Sequence, residues 1–298
     1  YAFPVLTAVF VVGAIVILSK SHPGLPAITA PGSGPTPGGF WIALGATFGY
    51  AAGWNPYASD YTRYLPRTTN RMAAGVWAGL GVLISCVVLE LGGAALATVP
   101  TSNFNDNPTL QFIKPLPEVL AVLALLGIAL GTVSANVINI YSGSMSFLTL
   151  GIRLPSHIRR AIVAAVAGVC GYVLGLILEA RGVVSNYENF LLLISYWIAP
   201  FLGVVLVDYW LRRGEYDQKL FYDSGYRPWK GVVAMAAGIV VSLPFWNNAL
   251  YTAPIAKANP GLGDITFVVG FVVAAAVHFA LNLGLRRETA ATPRSVSS

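Results

Sequence analysis

Residues 39–67 read GFWIALGATFGYAAGWNPYASDYTRYLPR. The part from 39 to 62 is apolar enough, and long enough, to cross the roughly 30 Å of a bilayer's hydrocarbon core, which takes about 20 residues of helix. Gly45, Gly49 and Gly53 recur every fourth residue, so they share one face and let another helix backbone come close. The run Gly53-Trp54-Asn55-Pro56 then puts a weak helix former and a proline inside the span. Pro56 has no N–H to donate, and it leaves the carbonyl of Ala52 without its usual partner. Such a break is tolerated in a membrane only where it is buried in protein or lines a cavity. Secondary transporters place their substrates at discontinuous helices of this kind. Tyr50 and Trp54 are four apart, so their rings share a face and could stack on a flat ligand. Plain helix packing is the competing reading of the glycine row.

The rest of the chain agrees with a membrane span at 39–62. Of 298 residues, 56% are hydrophobic and 10% charged, against roughly 25% charged in soluble domains. The mean hydropathy is +0.68. These values exclude an ordinary cytosolic enzyme, a disordered chain and a secreted disulfide scaffold. Eight apolar segments are expected to be transmembrane helices, near 3–19, 39–62, 72–99, 118–150, 161–178, 189–210, 230–246 and 265–285. All eight belong to one transmembrane domain, 1–298. Backbone groups have no water to bond in lipid, so spans are helices or closed barrels. The runs are continuous rather than alternating, which excludes a barrel.

Of the 18 Lys and Arg residues, fourteen fall in alternate connections and the tail, and only Lys20, Lys114, Arg181 and Lys257 fall on the other side. This is the positive-inside pattern. It places 21–38 outside, 211–229 inside and the C-terminus in the cytoplasm of a cell-membrane protein. The net charge of +6 is therefore a topology signal, and no nucleic-acid partner is expected. The first residue then lies on the cytoplasmic side, with an even number of spans before it. The chain starts at Tyr1 with neither an initiator Met nor a signal-peptide pattern, so a fragment of a longer protein is expected.

No phosphate loop, HExxH, GxSxG or CxxC occurs, and no enzyme, catalytic residue, cofactor or metal is expected. Cys86 and Cys170 read as reduced, packed thiols. Polar residues inside spans then mark a pathway. The span 118–150 carries GTVSANVINIYSGSMSF at 131–147. Ser134 and Asn136 lie near its centre, as interhelical hydrogen-bonding groups or as readers of a heterocycle's edge. Glu90 is the one acid deep in a span. It is either a coupling carboxyl or a structural carboxyl between helices, protonated or partnered. Asp60 and Arg63 suggest a local cap or ion pair, and His278 a hydrogen-bonded packing residue. Pro200 suggests a kinked, mobile helix. The pairs Gly75/Gly79 and Gly171/Gly175 suggest helix packing.

Three blocks carry a resemblance. They are GWNPYASDYTRYLPR (53–67), TVSANVINIYSGSMSFLTLGIRLP (132–155) and NFLLLISYWIAPFLGVVLVDYWLRRGEY (189–216). In this order they resemble the nucleobase:cation symporter-1 (NCS1) family, and within it the purine–cytosine permease branch. The resemblance implies an all-α polytopic protein with a LeuT-like inverted-repeat fold of twelve helices. This chain would be N-terminally truncated and hold helices five to twelve, with the missing N-terminal helices as its partner. The span 39–62 would be helix six, its glycine row facing the missing broken first helix, and 118–150 helix eight. The family's base lies between helices one, three, six and eight. The matching residues here are Tyr50, Ala51, Gly53, Trp54 and Asn55, with Ser134 and Asn136. Anchoring the register on Asp60 favours Tyr50 and Ala51, whereas anchoring it on the Gly-Trp pair favours Trp54. Sodium-coupled members carry adjacent hydroxyl residues on helix eight. The equivalents here are Leu130 and Gly131, with Thr132 and Ser134 nearby, so H+ coupling is expected over Na+. The expected function is import of cytosine and purines across the lipid bilayer by proton symport. A permease of the same family for allantoin, hydantoin or a vitamin is the alternative, and a channel or a membrane-embedded enzyme the rival of another class.

Overall fold

The computed structural model describes residues 2–22, 38–66, 68–99, 107–151, 154–181, 183–214, 216, 223, 225 and 227–283. Most of the expected outer connection 21–38 lies outside these residues, as does the tail from 284. The described residues form α-helices and short 3-10 turns, with one isolated bridge between Asn247 and Thr252. Four helices are long and apolar enough to cross a membrane: Arg71–Leu96, Glu118–Leu148, Ser156–Ile177 and Asn186–Leu211. Shorter apolar helices cover Pro4–Lys20, Trp229–Phe245 and Thr266–Leu281. The chain divides into two compact units, 1–34 with 55–186, and 35–54 with 187–298.

In the first unit α1 (Ala2–Lys20) packs against both α4 (Arg71–Leu96) and α6 (Glu118–Thr149). Asn70 caps α4, its side chain accepting from the N–H groups of Met72 and Ala73, which satisfies two donors that a helix start leaves free. Asn107 caps the short α5 (Pro108–Ile113) through Thr109 N–H, with Pro108 in the first turn. The core joins Ile17, Leu96, Val99, Leu116 and Ala124. The rings of Phe10 and Phe112 lie 5.9 Å apart. α7 (Ser156–Arg181) packs on α6, and a methyl on Gly143 would meet Val163 at 2.8 Å.

The expected pairs Gly75/Gly79 and Gly171/Gly175 do not pack. Among the described residues nothing lies within 4 Å of where their Cβ atoms would be; α1 meets α4 at its other end, at Gly92. The two cysteines are free, but Cys170 is exposed and Cys86 only half-buried, so neither is the packed thiol expected.

In the second unit α2 (Gly39–Ala52) lies along α8 (Val183–Leu211), which the unit contains from Tyr187 onward. α9 (Trp229–Ser242) and α11 (Thr266–Leu281) are in intimate contact. A methyl on Gly238 would sit 2.6 Å from the carbonyl oxygen of Gly270. Pro200, inside α8, is fully buried. Its ring is 3.0 Å from the Cβ position of Gly270 and 3.1 Å from that of Gly238. The proline read as a mobile kink is thus wedged between two helices. α8 ends with Arg213 in the left-handed region, φ 54°. Gly214 N–H donates to Tyr209 O and Arg213 N–H to Trp210 O, the hydrogen-bond pattern that closes a helix C-terminus when a glycine takes that place.

Candidate functional site

The span 39–62 is not one helix. α2 stops at Ala52, Gly53 and Trp54 turn, Asn55–Tyr57 form a 3-10 turn, and α3 (Ala58–Thr62) follows. The reason is local: Pro56 has no N–H, and Gly53 costs about 1 kcal/mol relative to Ala inside a helix. Gly53 N–H still bonds to Gly49 O at 3.0 Å.

The glycine row ahead of the break is seated on α8. A Cβ on Gly49 would lie 2.1 Å from the carbonyl oxygen of Leu191, and one on Gly45 would lie 3.0 Å from Leu192. Gly53 faces Ile194 at 3.4 Å. With that face used, Tyr50 points elsewhere and is 45% exposed, while Trp54 is half-buried.

The expected site residues fall in both units. Tyr50, Ala51, Gly53 and Trp54 belong to the second; Asn55, Glu90, Ser134 and Asn136 belong to the first. On α6, Ser134 Oγ donates to Leu130 O at 2.9 Å and Thr132 Oγ1 to Ile128 O at 2.8 Å, so each hydroxyl satisfies itself within its own helix. Asn136 is exposed, and its amide makes no hydrogen bond among the described residues. By helical spacing Thr132, Asn136, Asn139 and Gly143 share one face, and Gly143 is where α7 approaches. Asn136 thus keeps both its donors and its acceptors available for a ligand edge.

Glu90 is exposed and makes no hydrogen bond or ion pair among the described residues. It lies two residues from Gly92, which faces Ala14 of α1 at 3.7 Å, so it projects from the other side of α4. It is therefore not a carboxyl held between α4 and α1. Asp60 and Arg63 form no ion pair; Arg63 N–H instead closes α3 on Ser59 O at 3.3 Å. No group of three His, Cys, Asp or Glu side chains able to hold a metal occurs among the described residues. A cavity at the end of α8 is lined by Tyr209, Trp210, Leu211 and Arg213, none of which was expected in the site.

Three polar clusters were missed in the sequence. After the break, Tyr61 and Tyr64 reach α6. The Tyr61 hydroxyl lies 3.4 Å from Ser142 Oγ, and the Tyr64 hydroxyl 2.6 Å from that of Tyr141. The Tyr64 phenol is held above the ordinary tyrosine range, first of all by that hydrogen bond. The Tyr57-Tyr61-Tyr64 spacing was the available signal. In the second unit, fully buried Asp264 accepts from the Tyr196 hydroxyl, from Asn247 N–H at 3.0 Å and from Thr266 N–H at 2.9 Å. Trp246 stacks on Tyr196 at 4.8 Å. At the other end of α8, Asp208 pairs with Arg212 at 3.0 Å and with His278 at 3.3 Å. The Tyr216 phenol there is pushed up to about 12, by burial first and then by the charge and hydrogen bond of Asp208.

These features define an all-helical, multi-pass membrane protein with an interrupted helix. The chain belongs to the family of permeases for cytosine/purines, uracil, thiamine and allantoin, whose family model matches residues 1–270. It is similar to YxlA of Bacillus subtilis (strain 168), a candidate purine-cytosine permease, with 28% identity over 83% of this chain and 58% of that protein. The purine-cytosine permease fcyB of Emericella nidulans is 25% identical over 91% of this chain and 56% of its own length. The purine-cytosine permease FCY21 of Saccharomyces cerevisiae is 25% identical over 80% and 48%. The chain thus spans about half the length of the curated relatives it matches. No solved structure matches it.

Proposed function

We propose that the protein acts in a secondary active transporter that imports nucleobases, cytosine and purines, by proton symport. The observation that carries this reading is the helix break at Gly53–Tyr57 in a chain of the permease family. Secondary transporters bind their substrates at helix interruptions of this kind. In this reading Tyr50 and Trp54 stack on the base and Asn136 bonds to its edge, with Ala51, Gly53, Asn55 and Ser134 lining the same site. Glu90, turned away from α1, is the coupling carboxyl. The protein takes the LeuT-like arrangement, with this chain as its helices five to twelve. It sits in the cell membrane with a cytoplasmic C-terminus. No cofactor or metal takes part, and H+ rather than Na+ is the coupling ion.

The test is uptake of labelled cytosine, adenine, uracil and allantoin by the full-length protein, with and without a proton uncoupler. Saturable uptake of cytosine and adenine, abolished by the uncoupler, is expected. Preference for allantoin would move the protein to another branch of the family. Uptake driven by a sodium gradient alone would overturn the coupling. Asn136→Ala should weaken uptake by about 1–3 kcal/mol, roughly 5- to 150-fold, with membrane abundance unchanged. Wild-type kinetics in Asn136→Ala and Trp54→Ala would remove both residues from the site.

A further inference from the structure

The two halves of the interrupted helix are fastened by different chemistry. Before the break, Gly49 lets α2 touch the backbone of α8, and Gly45, Gly49 and Ala52 are buried. No hydroxyl is needed for that contact, and no solvent group could replace it. After the break, no residue from Asn55 to Thr62 is buried. There the half-helix reaches α6 through hydroxyl groups, from Tyr61 to Ser142 and from Tyr64 to Tyr141. The two tyrosines are three apart and their partners adjacent, so the two bonds together fix the direction of α3 as well as its position.

The receiving side is anchored separately. Arg160 lies over the Tyr141 ring, 5.7 Å from its centroid. Buried Arg159 donates from NH1 to the carbonyl of Ser144 at 2.9 Å. Both arginines belong to α7, so this end of α6 has a hold on α7 that does not depend on α3. Tyr64 is 70% exposed, which means that water can take over its hydrogen bond. A neutral hydrogen bond of this kind has a small net value, suited to a contact that opens and closes at each turnover.

We infer that Tyr61 and Tyr64 form a releasable latch that positions the half-helix after the break on α6, and that its opening is a step in transport. The second clause rests on the transport reading above. Neither residue contacts substrate; both act through α3, which follows directly on the turn that carries Asn55.

The test uses the full-length protein in native membranes, made cysteine-free, with one cysteine introduced at Ser142, which is buried beside Tyr61 (Ser142→Cys). The rate of N-ethylmaleimide labelling reports how freely α3 leaves α6, and it needs no substrate. Tyr64→Phe and Tyr141→Phe should each raise that rate about threefold to tenfold, the loss of one hydrogen bond. The double variant should do no more than either single, because both remove the same bond. Tyr172→Phe, on exposed α7, should change nothing. In uptake, Tyr64→Phe and Tyr141→Phe should shift the KM for adenine by a similar factor with Vmax kept. Unchanged labelling, or multiplying effects in the double variant, would overturn the latch. Labelling that responds while KM stays fixed would remove it from the transport cycle. If the unmodified protein takes up no nucleobase yet labelling responds as expected, the latch stands and the transport reading falls.

Discussion

In the second unit, Gly49, Gly203 and Gly238 each leave room for a neighbouring backbone, with an oxygen 2.1–2.6 Å from where a Cβ would be. In the first unit, Gly75/Gly79 and Gly171/Gly175 have the four-residue spacing of Gly45/Gly49 and meet nothing within 4 Å among the described residues. The sequence pattern is the same and the use is not. Spacing puts glycines on one face of a helix, but only a partner makes that face a contact. The first unit does use glycines, at Gly13, Gly127 and Gly143, but each receives a side chain rather than a backbone.

This contrast can be broken most directly at Gly49. Gly49→Ala forces a methyl onto the Leu191 carbonyl, and overpacking costs about 1–3 kcal/mol or more. We expect the largest loss of folded protein there, read as survival of a monodisperse chromatographic peak after heating in detergent. Survival equal to wild type would mean that α2 does not sit on α8 as described. Next comes Tyr196→Phe, which takes a donor from buried Asp264 and should lower stability by about 1–3 kcal/mol in the same assay. Gly75→Ala and Gly171→Ala should be neutral to stabilising, by up to about 1 kcal/mol, because alanine favours the helix and meets no neighbour. A clear loss in either variant would reveal a partner for that face. The smallest effect concerns pH. Tyr216 has a folded value near 12 against an ordinary 10.0. The protonated phenol is favoured in the folded state, so its contribution is full below pH 10 and fades as the pH rises towards 12. The alkaline loss of stability across that window should be shallower in Tyr216→Phe.

Much of the helical content was legible because long apolar runs admit little else in lipid. The helix end at Ala52 was legible too, since Pro56 removes a donor wherever the chain goes. The side on which each glycine found a partner was not legible. Neither was the outward turn of Glu90, which depends on where α1 packs. The Asp264 cluster joins residues as far apart as Tyr196 and Asp264 in the sequence, and no local pattern encodes such a pairing. For the site residues, the sequence supplied chemistry and spacing. It could not say that Tyr50 to Trp54 would fold with α8 while Ser134 and Asn136 fold with α1 and α7.

Pro200 carries an evolutionary consequence. Its ring occupies space that exists because residues 238 and 270 have no side chains. A methyl at either position would press on the proline or on the opposite backbone, and replacing the proline would leave two bare glycines facing a gap. No single substitution improves the arrangement, so a lineage could leave it only by passing through a less stable intermediate. The three positions should therefore be inherited as a block, and protein engineers who wish to replace the proline will have to redesign all three together.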